Sequence, residues 1–222
     1  GTTGLPKPIV HGHGGTVIVA LANKILHNDI GCSYQPNSWG ERFHWYSSTG
    51  WVMWNAQVAG LLNGVTCVIY DGNPGGSKDN PDWGILWRMA AQERVTFFGA
   101  GAAYFANCHK AGLDISRCGD LSRVRALGTT GSPLSADTQT WGVDQFKAIG
   151  TDIWWCNISG GTDFAGAFVG GHRELPQEAG VMQCRELGCA VEAWNEAGEP
   201  VLGEVGELVC TQPIPSMPLY FW

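Results

Sequence analysis

No stretch of this sequence is apolar over the roughly 18 residues that a membrane-crossing helix needs, so no membrane span is expected. Positive charge is scarce as well. Thirteen Lys and Arg stand against 20 Asp and Glu, and a net charge of −7 excludes a nucleic-acid partner held on a basic face. No C-x-x-C pair occurs among the eight cysteines. The one close histidine pair, His11-x-His13, has no acidic or thiol ligand beside it, so a zinc site is not expected there. Internal repeats and low-complexity tracts are missing too. The sequence opens on Gly1, inside a motif described below, and shows no signal or transit pattern, so expectations about location rest on the cysteines.

What is present is a globular composition: 222 residues with 44% apolar content, enough for the core of one α/β unit. Most cysteines have apolar neighbours, as Cys67 does in Val68 and Ile69. Such a residue behaves as a small core side chain, which predicts free thiols and a reducing, cytoplasmic location.

Periodicity predicts alternating strands and helices. Residues 8–11 read as a strand, and residues 16–28 as a helix with Val17, Ile18, Leu21, Ile25 and Leu26 on its inward stripe. A strand at 43–47 precedes a helix carrying Trp51, Trp54, Val58, Leu61 and Leu62, which Gly64 stops. The continuous apolar run at 65–70 reads as a strand covered on both faces, ending in the Asp71-Gly72-Asn73-Pro74 turn. Asp82 can cap a helix that turns Trp83, Leu86, Trp87, Ala90 and Ala91 inward, followed by a strand at 95–98. Residues 99–112 read as a small-residue helix, 123–127 as a strand, the segment with Leu134, Trp141 and Phe146 as a helix, and 152–157 as a further strand. The expected class is α/β, a mostly parallel sheet with helices on both faces, over residues 1–179. From about Gly180 the helical period is lost, and residues 180–222 read as a β-rich subdomain.

Three glycine-rich loops carry the functional signal. In an open parallel sheet, ligands gather beyond the carboxyl ends of the strands, where loops and free N–H groups converge. Gly128, Thr129, Thr130, Gly131, Ser132 and Pro133 follow one predicted strand, and Ser159, Gly160, Gly161, Thr162 and Asp163 follow another. The third loop is the opening Gly1-Thr2-Thr3-Gly4-Leu5-Pro6-Lys7, whose flexible backbone, hydroxyls and lysine suit a polyphosphate. Its spacing is not the Walker pattern, since Pro8 rather than Ser or Thr follows Lys7, and this argues against a P-loop NTPase.

Thr2 to Lys7 resembles the Thr-Thr-Gly-x-Pro-Lys loop of the acyl-adenylate-forming enzymes, a family of acyl-CoA synthetases, luciferases and peptide-synthetase adenylation domains. Gly131, Ser132 and Pro133 resemble that family's Gly-x-Pro turn, and residues 159–163 its Tyr-Gly-x-Thr-Glu motif. The resemblance implies that Thr2, Thr3, Gly4 and Lys7 hold the β- and γ-phosphates of ATP. It also implies that Gly131 to Pro133 pass against adenine, that Thr162 bonds the α-phosphate and that Asp163 holds Mg²⁺. Lys7, Thr162 and Asp163 are then the catalytic set, with Ser159, Gly160 and Gly161 completing the nucleotide site. Two residues depart from the family pattern. Asp163 stands for glutamate, and Ser159 stands where the family has an aromatic that stacks on adenine, so the stacking contact comes from elsewhere, with Trp154 or Trp155 as candidates, or is lost.

Residues 49–55, 70–74, 158–163 and 216–222 resemble the branch of this family that activates the short 3-oxo acid acetoacetate. The implied chemistry is adenylation of the acid by ATP and transfer of the acyl group to coenzyme A, with Gly99, Ala100 and Gly101 in the acyl pocket and small molecules as the partners. The family's ribose-binding aspartate and its C-terminal domain with a catalytic lysine are expected beyond Trp222, so residues 1–222 alone are not expected to be active. Another short-chain acyl-CoA synthetase, or a nucleotide-binding module without catalysis, is the alternative; exchange of pyrophosphate into ATP separates the two classes.

Overall fold

The computed structural model describes residues 4–5, 8–31 and 40–222. The chain enters through β1 (Ile9–His11) and α1 (His13–Ala22), and α1 runs on into a π-helical turn, Asn23–His27. The centre is a five-stranded parallel sheet. It is built from β2 (Arg42–Trp45), β3 (Thr66–Cys67), β4 (Phe97–Gly101), β5 (Ala126–Thr130) and β6 (Trp154–Asn157), in the order β3-β2-β4-β5-β6. Between these strands lie α2 (Val52–Val58), α3 (Ile85–Gln92), α4 (Ala102–Lys110) and α5 (Ala136–Ala148). The class is therefore the α/β fold the sequence predicts.

Alternation along each strand divides the core in two. Phe98, Ala100, Leu127 and Trp155 face α3, α4 and α5 and pack with Leu86, Trp87, Phe105 and Phe146. Phe43, Trp45, Phe97, Ala126, Trp154 and Cys156 face the other way and pack with Ile30. Aromatic pairs lock the first face: Trp87 stacks on Phe98 at 4.4 Å, and Trp155 meets the edge of Phe105 at 4.9 Å. Each such buried side chain contributes about 1.5 to 3 kcal/mol.

After β6 the chain turns to antiparallel pairing. β7 (Ser159–Gly161), β8 (Gly166–Gly170) and β9 (Cys184–Arg185) form one small sheet, so strands from both sides of Gly180 share it. β10 (Val191–Trp194) is flanked by β11 (Pro200–Val201) and β12 (Glu207–Cys210) in a second. β13 (Pro218–Phe221) pairs with β1 alone, so the first strand lies outside the parallel sheet.

Four local expectations are corrected. The stripe on the first helix is turned outward: Val17, Ile18, Ile25 and Leu26 are exposed, while Lys24 and His27 are buried. The π turn, closed by Asn28 N–H donating to the Asn23 carbonyl, inserts a residue and rotates the face that follows. The apolar run at 65–70 yields only a two-residue edge strand, because the Val68 carbonyl accepts from His44 Nδ1 at 2.8 Å and Gln57 Nε2 at 3.0 Å instead of continuing a ladder. Residues 99–101 belong to β4, not to a helix. A side chain at Gly99 or Gly128 would overlap the Trp45 ring, which lies across both, so these glycines admit the ring rather than open a helix. Asp82 accepts from Gly84 N–H in the turn before α3, whose N-cap is Gly84 itself.

Candidate active site

Because β2, β4, β5 and β6 are parallel, the segments that follow them meet at one edge of the sheet. A cavity of about 240 Å³ opens there. Trp51, Val52 and Met53 line it from the segment after β2, Thr130 and Gly131 from the end of β5, and Ile158, Gly160, Gly161 and Thr162 from the chain after β6. α1 and its π turn close the opposite wall with Thr16, Ala20, Asn23 and Lys24, joined by Asn28 and Glu186.

Two of the three predicted loops are thus brought together. Gly131 bends the chain out of β5 with φ +93°, a conformation that glycine adopts without strain. Ser132 and Pro133 are exposed beside it, ahead of α5, which Ser135 caps by accepting from Thr138 N–H. Ser159, Gly160 and Gly161 form β7 rather than a loop, and Thr162 and Asp163 begin the turn to β8, both exposed. The Thr162 hydroxyl oxygen accepts the Val52 N–H at 3.0 Å, which ties this turn to α2 and leaves the hydroxyl proton free to be donated. Thr2, Thr3 and Lys7 lie outside the described residues; Gly4 is exposed and does not line the cavity.

Other candidates are placed elsewhere. Trp154 and Trp155 are buried in opposite faces of the sheet, their indole N–H groups donating to Gln183 Oε1 and the Gln139 carbonyl, so neither ring can stack on a nucleotide in the cavity. Gly99 lies under Trp45, Ala100 is in the core, and neither they nor Gly101 line the cavity.

The α1 wall and a buried clasp behind the turn are not among the sequence-predicted features. Ser216, fully buried, donates its hydroxyl to the Phe164 carbonyl at 2.7 Å, one residue beyond Asp163, and its own carbonyl accepts from His11 Nδ1 at 2.8 Å. A serine in a proline-rich stretch gives no periodic signal. Lys24 does give one, as a lysine among the apolar residues of a helix.

Three ionisable groups sit at the α1 wall. Lys24 is 2% exposed, its Nζ rests 2.9 Å from the centre of the Phe43 ring, and it has no hydrogen-bond partner among the described residues. Burial holds its amine well below the usual lysine range. Burial pushes the Glu186 carboxyl up to about 8 and lowers His27. Glu186 Oε2 lies 3.1 Å from His27 Nε2, but that nitrogen accepts the Leu187 N–H and so offers the carboxyl no proton.

The model of a family described as AMP-binding enzymes matches residues 1–221. An acetoacetyl-coenzyme A synthetase of Rhizobium meliloti (strain 1021) is 41% identical over the whole chain, and an acetoacetyl-CoA synthetase of Gallus gallus is 39% identical; the chain spans 32% and 31% of their lengths. Among solved structures, the acetoacetyl-CoA synthetase of Streptomyces lividans superposes with a TM-score of 0.88 at 45% identity, covering all of this chain and 33% of that one.

Proposed function

This chain belongs to the AMP-binding enzyme family, and from that premise we propose that it is the nucleotide- and acid-holding part of a longer ligase, one that joins acetoacetate or a similar short 3-oxo acid to coenzyme A with ATP. The carboxylate oxygen of the acid attacks the α-phosphorus of ATP, pyrophosphate leaves, and the thiol sulfur of coenzyme A then displaces AMP from the acyl-adenylate. The nucleophiles come from the substrates, so no Ser-His-Asp set is needed.

The carrying observation is the cavity at the carboxyl edge of the parallel sheet, bordered by Gly131 and by Gly160 to Thr162. Negative charge gathers on the α-phosphoryl group as pyrophosphate departs, and donors fixed in advance are worth most at that point. Thr162 suits this role, because its oxygen is fixed by Val52 N–H and its proton is free for a phosphoryl oxygen. Gly131, Ser132 and Pro133 offer backbone to the adenine, and Thr2, Thr3, Gly4 and Lys7 are assigned to the outer phosphates. Asp163 is exposed and outside every ion pair found among the described residues. No cluster of three acidic, histidine or cysteine ligands exists among those residues. A lone carboxylate of this kind fits Mg²⁺, which takes one or two carboxylates together with substrate phosphates. Bound there, the ion would offset phosphate charge. A reducing compartment accords with the seven unpaired cysteines among the described residues.

The test is acetoacetate-dependent exchange of labelled pyrophosphate into ATP by the full-length protein. Asp163→Ala should lower the exchange rate at least about a hundredfold while weakening acid binding far less, since the carboxylate acts as charge develops. Exchange that ignores the acid supplied, or an unchanged rate in the variant, would refute these assignments.

A further inference from the structure

α2 turns one face to the cavity. Val52, Met53, Asn55 and Ala56 line it, at the spacing that sets side chains next to one another on a helix. Val52, Met53 and Ala56 are apolar, and Met53 packs with Ile158 on the Phe43 and Trp45 side of the core. Asn55 is the polar exception. It is exposed, and its carboxamide has no hydrogen-bond partner among the described residues. Asparagine is favoured at caps and turns and weakens a helix interior, so its place in the middle of α2 has no local structural reason.

The helix is also registered on the reacting end of the site. Val52 N–H donates to the Thr162 hydroxyl oxygen at 3.0 Å, which fixes α2 against the residue assigned to the α-phosphate. Asn55 lies three residues further on, about 4.5 Å along the helix axis. An acid whose carboxylate reaches the α-phosphate brings its keto carbon, next but one to the carboxyl carbon, level with that turn. The other polar side chains of the lining are engaged or stand elsewhere. The Thr16 hydroxyl donates to the Gly12 carbonyl at 2.9 Å, and Asn28 Nδ2 to Cys156 Sγ at 3.3 Å. Trp51 and Thr130 adjoin Val52 and Gly131 at the phosphate and nucleotide end, and Asn23 belongs to the opposite wall. The unpartnered atoms of Lys24 and Glu186 are buried away from a ligand's reach.

Resting on the proposed ligase reading, we infer that Asn55 is a specificity-determining residue, its Nδ2 donating a hydrogen bond to the 3-oxo oxygen of the bound acid. A carboxamide carries donors and an acceptor without charge. With a donor turned inward it matches a keto oxygen, and an acid with a methylene in that place leaves it unpaired. Apolar contact with Met53 and Ala56 separates acids that differ by one small group by only about 10- to 200-fold, so the hydrogen bond is what tells keto from alkyl. The acyl group then lies along α2 and not along residues 99–101, which do not line the cavity.

The decisive measurement compares acetoacetate, 3-hydroxybutyrate and butyrate, in kcat/KM of pyrophosphate exchange, for the full-length protein and its Asn55→Ala and Asn55→Asp variants. Wild type should prefer acetoacetate to butyrate. Asn55→Ala should cut that preference at least about tenfold, with the loss falling on acetoacetate. Asn55→Asp keeps the shape but only accepts, so a 3-hydroxyl can still donate to it while a keto oxygen finds no donor. Its ratio of acetoacetate to 3-hydroxybutyrate should therefore fall at least about tenfold below that of wild type. The melting midpoint of Asn55→Ala should not drop, because alanine is the better helix former at an exposed position, so misfolding cannot mimic the result. An unchanged preference in Asn55→Ala, an equal fall with all three acids, or a wild type that never discriminates overturns the inference. Absence of exchange with every acid in wild type instead defeats the ligase reading.

Discussion

Glu186 is 4% exposed and burial raises its pKa from 4.5 to about 8, so the folded protein holds this proton more tightly than the unfolded chain does. The stability it allows is complete below the unfolded value and is lost as pH climbs from about 4.5 towards 8. His27, Cys156, Cys184 and Cys189 lie near it, and Lys24, on the same cavity, acts in the opposite sense, since burial lowers its pKa and costs stability as pH falls from the ordinary lysine range. A difference measurement isolates the carboxyl. Glu186→Gln should gain stability over wild type by up to about 1.4 kcal/mol per pH unit across that window. Urea midpoints at about pH 5, 6.5 and 8 check it, and parallel curves for the two proteins would show that Glu186 ionises without penalty.

Where one ring spans two strands, the glycines beneath it act as a unit. Trp45 on β2 covers Gly99 and Gly128, which face each other across β4 and β5. Gly99→Ala should push the ring out of register and destabilise the sheet by about 1 to 3 kcal/mol, as overpacking does. A lowered melting midpoint, with the acid preference of the surviving enzyme unchanged, is the expected pair of results. The parallel strands are legible in the sequence because Phe43 to Trp45, Phe97 to Phe98 and Trp154 to Asn157 are short runs of β-favouring or bulky residues bounded by turns. The extent of β4 is not, since glycines that seat a ring resemble glycines that open a loop. The outward aim of Ile25 and Leu26, beyond α1, is hidden for another reason: the π turn that carries them is set by backbone bonding, and a period of 3.6 residues carries no trace of it. The two glycine-rich loops of the candidate site can be read from their place after strands, but the α1 wall cannot, because Lys24 and Glu186 come together only through tertiary packing.

Over the whole molecule, apolar surface is left uncovered on one side. Val17, Ile18, Ile25 and Leu26 are exposed on α1 and its π turn, and Leu61 and Leu62 on the 3-10 turn Ala59–Asn63, which follows α2 and packs against α1. Patches of this kind drive association. Residues 1–222, produced alone, should exceed the monomer mass of 23.8 kDa in light scattering, and the double variant Ile18→Glu, Leu26→Glu should return it to that mass. A wild-type chain that is monomeric at all concentrations would contradict this.

The buried hydroxyl of Ser216 also sets an order in time. It holds the turn after Asp163, while the carbonyl of the same residue accepts from His11, in a segment made 205 residues earlier. At about 5 to 20 residues per second of synthesis, β1 waits about 10 to 40 s for β13. During that interval the parallel sheet can assemble while the Thr162–Asp163 turn lacks its anchor. The scaffold of the site is therefore expected to form before the site itself, whose geometry waits on residues made after it.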